Sequence, residues 1–332
     1  MNAREFTDKE LAKIERHLTA LYKQAHKDIS VEVQAFADTI KAKATKLLQA
    51  VNEAKTEADR KTARNAYNHF YLVEIKRNKQ FQTMTNKVVE RLNEANTEAA
   101  SYINTKTARV YAENYNAMGA DLGKGLTAYE FKPVSVDEVQ QYGQLTTQTV
   151  DKRKDTAWNK GNVIAGVVGG ALLAKGVDKV FSRLANTIVS KNLSASVRQA
   201  SDMLTDAESK GSFDSMYRAF DEGFEIKKQW VCIFDNRTRD THIAYNDMGP
   251  VELDYEYATG LQRPHDPGCL LLEEICNCRC ELVRVYPQQD KGTRSARQGT
   301  VTGSYKEPRS FRGTKSVDIS DMTYAEWMAW RS

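Results

Sequence analysis

The first 118 residues contain neither glycine nor proline: the first glycine is Gly119 and the first proline is Pro133. Loops and tight turns use these two residue types more than any others. Such a stretch must therefore be dominated by long helices. Apolar residues recur at steps of three and four, as one buried helix face requires. They are Leu11, Ile14, Leu18, Leu21, Ala25, Ile29, Val33, Phe36 and Ile40.

Two further patterns indicate where this helical region begins and where it turns. Thr7 and Glu10 have the spacing of a capping box, which predicts a helix with Thr7 as its N-cap. A second apolar stripe covers 81–102, and the charged, apolar-poor segment 52–64 is expected to hold the reversal between the two stripes. Residues 1–118 are therefore predicted to form a long helical hairpin or bundle.

The remainder of the chain divides by composition into three segments. Residues 119–176 are expected to be a connector with little regular structure as far as 161, a basic cluster and a glycine-rich apolar run. Residues 177–287 begin with a helix and continue as a small α+β module with β-type runs at 230–234 and 282–286. Residues 288–332 are predicted to form a basic extended arm and a short terminal helix. The predicted fold class is mainly α with a small α+β C-terminal module.

Composition excludes several classes of protein. Hydrophobic residues make up 41% of the 332 residues and charged residues 28%, which excludes wholesale disorder. The net charge of +4 excludes DNA binding that relies on bulk charge alone. The uncharged apolar run 163–174 is shorter than the roughly 20 residues that span a bilayer, so stable membrane insertion is not expected. Within it, the Gly166 and Gly170 spacing predicts close packing between helices.

Charge and cysteine distribution give two more expectations. Residues 151–200 hold nine Lys or Arg against three Asp or Glu, whereas 201–290 hold nine against eighteen. The basic residues Lys152, Arg153, Lys154 and Lys160 are candidate contacts to DNA phosphates. A sequence-independent DNA-binding module that uses these residues and the 291–315 arm is kept as an alternative function. All five cysteines follow position 231, and the chain begins with charged residues rather than a secretory signal. A reducing compartment is therefore expected.

Histidine and cysteine are concentrated between His242 and Cys280. Zinc is held by about four nitrogen or sulfur ligands in a tetrahedron, and His242, Cys278 and Cys280 with His265 or Cys276 would supply them. In a strand, the alternating thiols of 276, 278 and 280 would converge on one face. Two alternatives stay open: small, partly buried thiols with His242 in a structural hydrogen bond, or a disulfide under oxidising conditions.

The segment 235–242 places Asp, Arg and His close together, as acid–base chemistry would require. A tight turn with Asx-type hydrogen bonds and arginine–carboxylate pairs accounts for the same residues. The sequence contains no Ser-His-Asp arrangement, phosphate-binding loop or HExxH motif. We therefore expect no enzymatic activity, and an enzyme or effector that uses the 242–280 region is kept as an alternative.

An ordered set of motifs resembles a known family. The motifs are Lys228-x-Trp230, then Asp235-x-Arg237-x-Arg239-x-x-His242, then Pro264-x-Asp266-Pro267, then Asn277-Cys278-Arg279-Cys280 before a short strand. In this order they resemble the Mu F-like head-morphogenesis minor capsid proteins of tailed bacteriophages. The resemblance covers 180–288, and the Tyr324-x-Glu326-Trp327 segment is similar to the ending of many members.

The resemblance implies a low-copy structural protein of the virion, located inside the capsid and in the host cytoplasm during assembly. Such proteins associate with the portal and assist head assembly or the packaging and ejection of DNA. The implied partners are the portal protein, major capsid or scaffolding protein, and packaged double-stranded DNA. The chain lacks the cysteine pair that one variant of the family carries around 237–242, and His265 and Cys269 are not family ligands.

Overall fold

The computed structural model describes residues 3–126, 128–151, 156–172, 176–232, 238–276, 278–286, 295–298 and 315–318. The chain is mainly helical, as predicted. The helices are α1 (Ala3–Glu53), α2 (Glu57–His69), α3 (Ile75–Arg77), α4 (Lys79–Gly125), α5 (Val136–Asp151), α6 (Thr156–Leu172), α7 (Val177–Asp221), α8 (Asp240–Asp247) and α9 (Leu272–Ile275). A π-helical turn, Phe70–Glu74, joins α2 to α3.

A small antiparallel sheet lies near the C-terminus, as the sequence predicts. Its strands are β1 (Lys227–Val231), β2 (Val251–Glu252) and β3 (Glu281–Val285), in the order β2-β1-β3. The register pairs Lys227 with Val285 and Val231 with Glu281. A separate ribbon pairs β4 (Ser295–Gln298) with β5 (Lys315–Asp318) within the expected basic arm. The predicted terminal helix lies outside the described residues.

The chain divides into two compact units. The first unit comprises residues 1–15, 103–147 and 197–332, and the second unit comprises 16–102 and 148–196. The second unit is a helical bundle, and the break between α1 and α2 lies within the segment predicted for the reversal. In its core Phe36 packs against Phe81 and Phe181, with ring centroids 5.4 and 5.5 Å apart.

Most of the predicted N-terminal stripe is buried, and two of its leucines, Leu11 and Leu21, are half-buried. The second unit also holds a ladder of buried and half-buried polar side chains that joins α1, α4, α6 and α7. In this ladder Tyr22 donates to Asn96 (2.5 Å) and Asn96 donates to Asn192 (3.0 Å). Asn192 then donates to Asn159 (3.3 Å), and Asn159 to Asn93 (3.4 Å). Because each amide must meet its partner, the ladder fixes the relative register of these helices.

The predicted capping box is wrong. α1 begins at Ala3, so Thr7 lies inside the helix, where its buried hydroxyl accepts a hydrogen bond from Asn114 (3.4 Å). The Glu10 carboxylate is buried and contacts the ammonium groups of Lys13 (2.5 Å) and Lys106 (2.9 Å). These residues therefore contribute tertiary contacts instead of a helix start.

The expectation of little regular structure over 119–161 is also wrong, because α4 continues to Gly125 and α5 and α6 follow. The glycines of α4 serve packing. A Cβ atom on Gly119 would lie 2.0 Å from the Phe131 ring, so glycine lets the returning chain cross the helix. Gly223, with a φ of +92°, follows the end of α7 as predicted.

The predicted close packing of the apolar run holds at Gly166. A Cβ atom there would lie 2.3 Å from Cδ1 of Leu184 in α7. Val163 and Val167 are buried on α6. Among the described residues, no helix combines the length and the apolar character needed to cross a bilayer.

Candidate metal centre

The motif residues at 228–242 and those at 278–280 come together at the small sheet. Trp230 and Cys232 alternate along β1 and its extension, and both are fully buried. α8 packs against β1, so the His242 ring meets the Trp230 ring edge-on, with centroids 5.1 Å apart. One step beyond the Val231–Glu281 pair, the same register places Cys232 opposite Cys280. The strand pairing therefore positions two of the thiols.

His242, Cys278 and Cys280 form a compact group of potential metal ligands. Their ligand atoms all lie within 4.8 Å of one another, and the three residues are 1–4% exposed. His242 Nδ1 lies 3.3 Å from Cys280 Sγ and 3.6 Å from Cys278 Sγ. These three residues could hold a metal ion.

The spacing of these atoms fits the edges of a metal tetrahedron. With metal–sulfur bonds of about 2.3 Å and metal–nitrogen bonds of about 2.0 Å, tetrahedral geometry separates sulfur from nitrogen by about 3.5 Å. The two observed nitrogen–sulfur distances, 3.3 and 3.6 Å, bracket that value. Little rearrangement of the chain would be needed to bind the ion.

The second ring nitrogen of His242 is close to a carboxylate. Nε2 lies 3.0 Å from Oε2 of Glu274, although this contact lacks the alignment of a hydrogen bond. Glu274 is buried and also accepts a hydrogen bond from the Thr241 hydroxyl (3.1 Å). Metal-binding histidines typically present their other nitrogen to a carboxylate, which fixes the tautomer that leaves the ligating nitrogen free.

Burial controls the protonation of the two thiols. It raises the pKa of Cys278 and of Cys280 well above the usual range, because a thiolate loses its hydration there. His242 partly opposes the rise in the pKa of Cys278, and the Cys278 side chain partly opposes the rise in the pKa of Cys280. Without a cation the site holds neutral thiols, and a bound cation would stabilise the thiolates.

The other two ligands considered from the sequence do not join this group. Cys276 is exposed, because it ends the short helix α9 and lies outside β3, so strand alternation does not apply to it. Its carbonyl oxygen accepts a hydrogen bond from Arg239 (2.5 Å). His265 is buried, but its Nε2 donates to the Cys278 carbonyl oxygen (2.6 Å), which positions Cys278.

Lys228 is fully buried and acts as a structural cation. Its ammonium group donates to the carbonyl oxygens of Leu253 (2.6 Å), Tyr255 (2.7 Å) and Gln262 (2.8 Å). Burial lowers the pKa of Lys228 to about 8. The three carbonyl contacts favour the charged form and tie the 253–262 loop to β1.

The structure places the remaining predicted residues as follows. Arg279 is half-buried, and Lys160 is exposed on α6, where it lines a groove with the acidic residues Glu90, Glu94 and Glu98 of α4. Asp235, Arg237, Asn277, Lys152, Arg153 and Lys154 lie outside the described residues.

The sequence interpretation omitted two residues of this site, Cys232 and Glu274. The thiol of Cys232 lies 3.7 Å from that of Cys280. The β-type runs at 230–234 and 282–286 could have identified Cys232, had the two strands been paired in register and extended by two residues to Cys280. Glu274 had no such signal, since its position depends on the fold of the 253–276 loop.

No protein-family model, curated protein or solved structure matches the chain.

Proposed function

We propose that this chain is a minor capsid protein of a tailed bacteriophage, which docks at the portal inside the head and assists head assembly or DNA packaging and ejection. The proposal begins from the ordered motif set that resembles the Mu F-like family. The observation that carries it furthest is that five described motif residues, brought from separate parts of the sequence, are all buried within the 227–286 module. They are Lys228, Trp230, His242, Cys278 and Cys280, each at most 4% exposed.

Burial of these residues supports a structural role over an enzymatic one. A catalytic group must reach a substrate, and catalytic metal sites keep an open coordination position. Lys228 is used by three backbone carbonyls, and His242 is enclosed between Trp230, Glu274 and two thiols. These residues therefore stabilise a small module that can present its outer surface to a partner.

Zinc is the metal that we propose for this centre. Thiolate and imidazole ligands in a tetrahedral arrangement favour zinc over magnesium or calcium, which prefer oxygen ligands. His242 would bind through Nδ1, and Cys278 and Cys280 would bind as thiolates. When bound, the ion would supply cross-links between α8 and the segment that leads into β3.

The portal proposal is tested by co-sedimentation of the full chain with the purified portal ring of the same phage. The mixture is centrifuged at about 0.1 M and about 1 M salt, where the Debye length falls from about 10 Å to about 3 Å. We expect the chain to pellet with the ring at both salts, because a shape-specific apolar contact resists screening. A portal ring from an unrelated phage is the control. Absence of the chain from the pellet at both salts would overturn the proposal.

A second candidate function, sequence-independent DNA binding, is favoured by the surface between the end of α1 and the start of α4. Seven basic side chains are exposed there, and within the described part of the chain none of them forms an ion pair. They are Lys46, Lys55, Lys61, Arg64, Lys76, Arg77 and Lys79. The same segment carries four exposed carboxylates, Glu53, Glu57, Asp59 and Glu74, so its eight Lys or Arg outnumber its Asp and Glu by four. Lys160, in contrast, is a single cation beside three carboxylates, so the 46–79 surface is the better phosphate contact.

Charge reversal separates these two surfaces. The Lys61→Glu/Arg64→Glu variant should make the negative slope of log affinity against log salt shallower by about 2, since each phosphate contact contributes about 0.9. Lys160→Glu should leave the slope unchanged. Salt titrations of binding to double-stranded DNA of two unrelated sequences would measure both. Equal slopes for the double variant and the unaltered chain would exclude the 46–79 surface.

A further inference from the structure

His242, Cys278 and Cys280 supply three ligands, and a structural zinc site needs four. The identity of the fourth decides whether the centre is closed by protein or keeps a position for water. Among the described residues, candidates must be close to the trio, buried, and free to turn a donor atom toward it.

We propose that Cys232 is the fourth ligand, which makes the centre a closed Cys3His site; this inference rests on the zinc site proposed above. Cys232 is 0% exposed, and its Sγ lies 3.7 Å from Cys280 Sγ. Two sulfurs bound to one tetrahedral zinc are separated by about 3.8 Å, given bonds of about 2.3 Å. The existing contact is already one edge of the required tetrahedron.

The sheet explains why these two thiols meet. The β1–β3 register places Cys232 and Cys280 opposite each other, directly beyond the last paired residues. Cross-strand neighbours of this kind have Cβ atoms about 4.5–5.5 Å apart and side chains on the same face. Zinc at this point would therefore clamp the open end of the β1–β3 pair to α8.

One local change completes the site. In the structure the Cys232 thiol donates to the carbonyl oxygen of His242 (2.8 Å), and it lies outside the compact trio. Metal binding would release the Cys232 proton to solvent and exchange this hydrogen bond for a sulfur–zinc bond. Cys278 and Cys280 would release their protons in the same way.

The other nearby donors are excluded by their positions. Glu274 approaches Nε2 of His242, on the side of the ring away from the sulfurs. His265 uses Nε2 to hold the Cys278 carbonyl. Cys269, like Cys232, donates to a backbone carbonyl, but of these two thiols it is Cys232 whose sulfur lies 3.7 Å from a sulfur of the trio. Cys276 is exposed.

Replacing zinc with cobalt allows the thiolates bound to the metal to be counted by absorption spectroscopy. The intensity of the sulfur-to-cobalt charge-transfer band grows with the number of coordinated thiolates, so Cys232→Ser should lower it by about a third in the full chain. Cys269→Ser is the matched control, because Cys269 is a buried thiol of the same module. That variant should leave the band unchanged.

X-ray absorption at the zinc edge tests the same point on the unaltered chain and needs no variant to fold. Three sulfurs and one nitrogen in the first shell would support the proposal. Two sulfurs with two lighter atoms, or an unchanged cobalt band in Cys232→Ser, would overturn the assignment of Cys232 and leave the three-ligand zinc site standing. Failure of the unaltered chain to bind either metal would overturn both.

Discussion

The helical bundle of the second unit and the small sheet module at 227–286 bury polar groups for different reasons. In the bundle, long apolar helix faces supply the core, and the amide ladder lies within it. The module has strands of five, two and five residues. Elements this short bury little apolar surface of their own. One side of the module shares a core with α4 and α7 through Ile226, Leu253 and Leu282, and its loops depend on polar contacts and, in our proposal, on a metal.

The two regions use their polar groups differently. In the bundle, the amide ladder selects one register for helices that apolar faces hold together. In the module, the polar groups themselves hold loops and strands together. If the ladder is lost, the bundle still has its apolar faces. If Lys228 or the Cys/His centre is lost, the module loses the contacts that join its loops to its strands. Substitutions in the module should therefore cost more than substitutions in the bundle.

Removal of one ligand of the proposed metal centre should give the largest effect. Structural zinc contributes about 10–16 kcal/mol of apparent binding free energy, comparable with the whole stability of a domain. Cys278→Ser should therefore unfold residues 227–286 while the bundle stays protected, as measured by hydrogen exchange. Cys276→Ser, at an exposed thiol, is the control. Unchanged protection of 227–286 in Cys278→Ser would show that the module stands without the centre.

Lys228→Met should lower the free energy of unfolding by about 3–5 kcal/mol, because three buried carbonyl groups lose their charged donor. Lys227→Met on the same strand removes a surface ion pair with Glu252 and should cost less than about 1 kcal/mol. Urea denaturation followed by tryptophan fluorescence would compare the two. Equal costs would contradict the role of Lys228 as a structural cation.

Asn192→Ala should destabilise the bundle by about 2 kcal/mol, since Asn96 and Asn159 lose a buried partner. Asn186→Ala on the same helix is the matched control. Asn186 also donates to the carbonyl four residues earlier, but it is exposed, so its loss should be close to neutral. Thermal unfolding would measure the difference between the two variants. An equal fall in Tm for both would show that the ladder stabilises the bundle no more than an exposed side-chain hydrogen bond does.

The glycines of α6 should give the smallest effects. Gly169→Ala meets nothing within 4 Å and should stabilise the helix by about 0.5–1 kcal/mol through helix propensity. Gly166→Ala gains the same propensity but must displace the end of Leu184, so its net effect should be near zero. Denaturation of both variants would measure the cost of that contact. A Gly166→Ala variant as stable as Gly169→Ala would mean that the contact costs nothing.

The sequence predicted the fold class because its strongest signals are local. The absence of glycine and proline from residues 1–118 predicted the long helices, and the β-type runs predicted the positions of β1 and β3. The capping-box prediction was wrong because the side chains of Thr7 and Glu10 contact Asn114 and Lys106, which are distant in sequence. The local spacing of Thr7 and Glu10 does not reveal these contacts. The connector was misread because glycine serves close packing as well as turns, as Gly119 shows.

The candidate site was predicted in part. His242, Cys278 and Cys280 were identified from residue type and alternation, and the structure brings them together. Cys276 was placed in a strand that begins five residues later, at Glu281. The contributions of Cys232 and Glu274 depend on strand register and on loop conformation, which are set by the whole module.

The most direct test of the central claim, that a Cys/His metal centre holds the sheet module together, is native mass spectrometry of the full chain purified without added metal. We predict one zinc ion per chain in the unaltered protein and none in Cys278→Ser. An unaltered chain that has the mass of the metal-free protein, with residues 227–286 still protected from hydrogen exchange, would contradict the account.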